Sequence, residues 1–191
     1  MPNLKSWSSL ALAVALCLPM TAVASAQSDP AEEPTPAPIT LPELDSLAWY
    51  RSIDLSGPQI ASEADEVEVG QWTALVEGAG ASLEELEYVY QAAFDPSLLP
   101  DLGGIATVRV AGADTDGLRA AVVDDIVNQV VSLGDEPPEP QAATIGGKDV
   151  IVVELPDAAG FADAIVYASG DVAYVVLLAE DLAEQALQQL P

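Results

Sequence analysis

Acidic oxygens are the commonest reactive groups in this chain, and Asp114-Thr-Asp116-Gly117 arranges them most suggestively. Alternating oxygens of this kind occur in calcium loops. An EF-hand, however, needs a Gly at its sixth position and a Glu at its twelfth. Counted from Asp114, those places hold Arg119 and Asp125. Helix capping is the better reading of Asp114 and Asp116, with calcium as the alternative cofactor. The chemistry open to Lys148 is a Ser–Lys dyad. It directly follows Gly146-Gly147, which signals a hairpin turn, so a turn lysine is the simpler reading. The third possibility is a carboxylate pair of the glycosidase type. With 31 Asp and Glu residues, pairs arise by chance and single out no site.

Other chemistries are excluded by composition. The chain has no histidine, and its one cysteine, Cys17, lies near the N-terminus. Ser-His-Asp and Cys-His catalysis need side chains that are missing. So do His or Cys zinc sites and iron–sulfur clusters. No Walker A pattern occurs, and Gly78-Ala-Gly80 lacks the third glycine of a dinucleotide fingerprint. The formal net charge is −26. Such a surface repels nucleic acid and anionic lipid and favours cationic partners.

The N-terminus reads as an export signal. Lys5 is followed by an unbroken apolar run, Leu10 to Leu18, too short to span a bilayer of about 30 Å. Ala24-Ser25-Ala26 supplies a signal-peptidase pattern, so cleavage is expected before Gln27. Residues 1–26 are then a signal peptide and the product is extracytoplasmic, with no integral membrane span. Residues 27–43 carry five prolines (Pro30, Pro34, Pro36, Pro38 and Pro42) and read as an acidic linker. A single domain is expected over 44–191.

Elements able to position a site follow from patterning. Leu47 to Leu55 reads as a first strand, closed by Ser56-Gly57-Pro58. Ala64 to Val69 alternates acidic and apolar residues and suggests an edge strand. Gln71 to Glu77 suggests a short helix stopped by Gly78 and Gly80. Ser82 and Glu85 form a capping-box pattern ahead of the β-prone Tyr88 to Phe94. Ile105 to Val110 is a strand with Thr107 and Arg109 on one face.

The clearest helix spans about Gly117 to Leu133. Leu118, Val122, Ile126, Val130 and Leu133 form its apolar stripe, leaving Arg119, Asp124, Asp125, Asn128 and Gln129 for water. Two hairpins follow: Ala142–Ile145 with Lys148–Leu155, and Phe161–Ala168 with Val172–Ala179. The last strand is nearly all apolar, as burial on both faces requires. A final helix begins at Glu180 and Asp181.

These elements predict an α+β fold of two layers. A mainly antiparallel sheet built from hairpins carries helices packed on one face. Val123, Val130, Val152, Val175 and Leu187 are expected in the core.

Thr144 to Val150, with its Gly146-Gly-Lys-Asp-Val150 hairpin, and Gly170-Asp-Val-Ala-Tyr-Val-Val176 carry a resemblance, extended by Ala186-Leu187 and Leu190-Pro191. Residues 104–191 resemble uncharacterised exported bacterial proteins, and the resemblance implies no activity. By elimination, the chain reads as an exported, non-catalytic domain binding a protein, peptide or cell-envelope component. A calcium-dependent module and a carboxylate hydrolase are the alternatives. Hairpin tips project from scaffolds, so Gly146, Gly147, Lys148, Gly170 and Asp171 are the expected binding residues.

Overall fold

A computed structural model describes residues 39, 41–44, 48–94, 103–132, 134–156 and 162–191. The expected export signal, residues 1–26, and most of the proline-rich segment lie outside them.

The chain runs β1 (Ala48–Ser56), α1 (Gly57–Glu63), α2 (Glu66–Gly78), a 3-10 turn (Leu83–Glu85), β2 (Leu86–Phe94), β3 (Gly103–Val110) and α3 (Thr115–Ser132). It continues through β4 (Gln141–Ile145), β5 (Lys148–Val153), β6 (Ala164–Ser169), β7 (Val172–Leu177) and α4 (Glu180–Gln189). The seven strands form one sheet in the order β1-β2-β3-β7-β6-β5-β4. All pairings are antiparallel. Two meanders are thus sewn together where β3 meets β7, with Thr107 opposite Tyr174. α3 carries the chain from β3 to the far edge at β4, so the second meander can run back to meet the first.

Local chemistry sets the boundaries. The expected edge strand at 64–69 is the first turn of α2. Asp65 accepts hydrogen bonds from the Val67 and Glu68 backbone N–H groups at 2.9 Å, and the Glu68 carboxylate returns to the Asp65 N–H. This Asp-x-x-Glu box satisfies orphan helix donors and overrides the acidic–apolar alternation. Gln59 closes a similar box on the Ser56 N–H at 2.8 Å and starts α1, which replaces the turn expected at Ser56–Pro58. At 82–85 the expected box is present and opens only a 3-10 turn before β2.

Two apolar layers form, one on each side of the sheet. The larger holds Trp72, Leu75 and Val76 of α2, Leu118, Val122 and Ile126 of α3, and Tyr88, Val108, Val153 and Val166 of the sheet. The smaller packs Leu182, Ala183, Ala186 and Leu187 of α4 on Ile105, Val150, Ile165, Tyr174 and Val176. The α+β sheet therefore carries α1–α3 on one face as expected, and α4 adds cover on the other. β7 is buried on both faces, and that requires cover on both sides. The helix after β3 and the helix after β7 lie on opposite faces, so the two halves are not repeats. Val123, Val130 and Leu187 are buried, whereas Val152 and Val175 are half-buried beside the two cores. Leu41 and Leu44 pack with α4 as well, and Gln189 exchanges two hydrogen bonds with the Glu43 backbone. No helix among the described residues is long and apolar enough to cross a membrane.

Candidate functional site

α2 and α3 touch where Gly78 meets Ala121. A Cβ on Gly78 would lie 3.3 Å from the Ala121 Cβ, so the missing side chain lets the helices approach closely. Away from that contact the helices frame a cavity of about 70 Å³. Gln71, Trp72 and Leu75 of α2 form one wall, and Val122, Asp125, Ile126 and Gln129 of α3 form the other. Tyr88 of β2, Ala106 and Val108 of β3, and Val175 and Leu177 of β7 form the floor, completed by Leu155 and Ala164. The alanines leave room that larger side chains would fill. Trp72 and Tyr88 meet at 4.9 Å between ring centroids, tilted by 60°.

One acidic group enters this apolar setting. Asp125 accepts a hydrogen bond from Gln129 Nε2 at 2.6 Å, one helical turn on. Burial pushes its carboxyl pKa up to about 6, and the Gln129 bond offsets part of that rise. Burial also pushes the Tyr88 phenol up, helped by Tyr90 and Asp125, so the phenol stays neutral. No lining residue is basic. The expectation that Asp124, Asp125, Asn128 and Gln129 all face water holds for Asp124 and Asn128 alone. Asp125 and Gln129 flank the apolar stripe next to Ile126 and point to the cleft. Their i,i+4 spacing was the available signal, and in sequence it looks like any surface pair.

At the hairpin tips, where the sequence places its candidate binding residues, Gly147 and Gly170 are exposed, whereas Gly146, Lys148 and Asp171 are half-buried. Gly146 lies against α4, where an added Cβ would come within 2.9 Å of the Glu184 carbonyl oxygen. Its φ of +59° is a second reason for glycine there. Lys148 Nζ donates to the Pro191 oxygen at 2.9 Å and sits 5.1 Å from the Tyr167 ring centroid. Tyr167 donates its hydroxyl to the same Pro191 oxygen. The Gly170 carbonyl accepts from Thr115 Oγ1 at 2.9 Å, and the Asp171 carbonyl accepts from the Val110 N–H at 3.0 Å. Gly147 remains exposed at its turn. None of these five residues lines the cleft.

Asp114 and Asp116 sit at the start of α3. Asp114 Oδ1 accepts from the Gly117 N–H at 2.9 Å, the expected cap, and Asp116 pairs with Arg119 at 2.6 Å. Among the described residues no group of three or more acidic or thiol side chains converges on a point.

A second, more polar cavity of about 460 Å³ lies beside the Gly170 turn and includes Arg109 and Tyr174. Its cation is already engaged, because Arg109 binds Glu87 at 2.8 Å across the β2–β3 pair. No protein-family model, curated protein or solved structure matches this chain.

Proposed function

We propose that the protein is an exported, non-catalytic binding domain and that the cleft between α2, α3 and the sheet is its ligand site. The observation carrying this reading is an apolar, aromatic-walled cavity with a few convergent polar groups, the usual make-up of a small-ligand pocket. The sequence leaves a protein, a peptide or a cell-envelope component as partner. The cleft favours a compact ligand, since it is walled by two helices and takes a small apolar group.

A binding role is also supported by what lines the cleft. Among the described residues, Asp125 is the single carboxylate lining it. Glycoside hydrolysis of the two-carboxylate kind needs a second one, about 5–10 Å away depending on mechanism. With histidine and a usable cysteine both missing, proton transfer near neutral pH lacks its commonest carriers. Turnover of glycan, ester or peptide substrates, abolished by Asp125→Asn, would overturn the non-catalytic reading.

The direct test is titration of the protein with small neutral aromatic probes and with fractionated envelope extract, followed at the Trp72 indole signal. Val175→Phe should fill the cleft from its floor. A response in the wild type that Val175→Phe loses while keeping its circular dichroism supports the reading. No response to any probe or fraction sinks it.

A further inference from the structure

We propose that the cleft selects a small organic amine, with its apolar body against Trp72 and Tyr88 and its ammonium group on Asp125. This inference rests on the cleft being the ligand site.

The first argument is the state of Asp125. A carboxylate offers about four lone-pair sites. Among the described residues, Asp125 receives one side-chain hydrogen bond, from Gln129, and no ion pair. Among the basic residues whose side chains are described, Arg109 pairs with Glu87, Arg119 with Asp116, and Lys148 reaches the Pro191 oxygen. A largely buried anion without a cation is a costly arrangement that a cationic ligand would relieve.

The second argument is the company it keeps. Aromatic faces attract ammonium groups, and Trp72 is the strongest such partner among the aromatic side chains. The third is the long-range field. A net charge of −26 draws cations in and turns anions away, so a fatty acid or other anionic amphiphile is disfavoured before contact. Size is the fourth. A cavity of about 70 Å³ holds about five waters, which sets the scale at a short alkyl or single-ring amine.

Proton linkage gives the inference a signature. Among the described residues, the cleft that Asp125 enters is lined outside α3 by Gln71, Trp72 and Leu75 of α2, Tyr88 of β2, apolar side chains of β3, β6 and β7, and Leu155. Of these only Tyr88 titrates, and burial keeps it neutral through the acidic and neutral range. An ammonium group pairs with the ionised carboxylate alone. With the Asp125 pKa at about 6, amine affinity should fall about tenfold from pH 7 to pH 5.

The experiment compares benzylamine, benzyl alcohol and benzoate on the full exported chain, read at the Trp72 indole signal. Benzylamine should bind at least tenfold tighter than benzyl alcohol at pH 7, and benzoate most weakly. The benzylamine preference should shrink about tenfold at pH 5 and be lost in Asp125→Asn. Equal, pH-independent binding of amine and alcohol would overturn the amine assignment and leave the cleft as ligand site. Failure of all three probes to shift Trp72 would overturn both. A lysine peptide shifting Trp72 where benzylamine does not would overturn the small-molecule assignment.

Discussion

Replacing Asp125 by Asn should stabilise the folded protein above neutral pH. The carboxyl titrates at about 6 in the fold against an ordinary value of 3.8. A raised folded pKa means that the fold prefers the protonated acid. The favourable contribution of protonation is complete below about pH 3.8 and is lost as the pH rises through 6. Above neutrality the buried carboxylate therefore costs up to about 3 kcal/mol, from a shift of about two units at 1.36 kcal/mol each. Asn keeps an oxygen to accept the Gln129 bond and carries no charge, so it should recover most of that cost. For a domain of this size the gain corresponds to a rise in Tm of roughly 6–12 °C. The assay is thermal unfolding of wild type and Asp125→Asn from pH 4 to pH 8. The difference should grow between pH 4 and 6, level off above 7, and nearly vanish at pH 4. A variant less stable than wild type at pH 8, or a gain of equal size at both ends, would refute the reasoning.

Four further outcomes are expected. Val176 is fully buried between β7 and α4, so Val176→Asp should unfold the domain, since an unpaired buried charge costs several kcal/mol, comparable to the whole stability. Circular dichroism reads this directly. Gly57→Ala should destabilise by on the order of 1–3 kcal/mol, because its Cβ would fall 1.5 Å from the Leu83 carbonyl oxygen. Gly70→Ala, in open space within α2, should instead gain about 0.5–1 kcal/mol; denaturant melts showing both variants moving alike would contradict the packing. Exported protein should begin at Gln27 on N-terminal sequencing, and intact Met1 on membrane-bound material would contradict it.

Most of the framework was legible because it rests on local rules. The α3 stripe, the glycine turns at 146–147 and 170, and the apolar β7 run each follow from periodicity or turn chemistry. α2 was misread at its start because two local signals compete at Ala64–Val69. Alternation spans six residues, whereas the capping box satisfies donors that would otherwise stay orphaned, and the box wins. The cleft was not legible at all. Its residues come from α2, β2, β3, α3, β6 and β7, and no stretch of sequence contains more than a few of them. Asp125 reads as a solvated helix residue because its burial comes from packing against α2 and the sheet, which no local pattern shows.

The way the chain is fastened distinguishes the two faces of the sheet. On the α4 face, Leu41 and Leu44 pack into the smaller core, Gln189 ties down Glu43, and Lys148 and Tyr167 both reach the Pro191 oxygen. The incoming chain therefore joins the domain on that side, and the Gly146 turn is pressed against the same helix. The α2–α3 face receives none of these fastenings. Its cleft opens between two helices that approach closely where Gly78 meets Ala121. A larger residue at Gly78 would push α2 away from α3 and change the cleft without touching any lining residue. A substitution at Gly78 should therefore change the shape of the cleft and the packing of the two helices together.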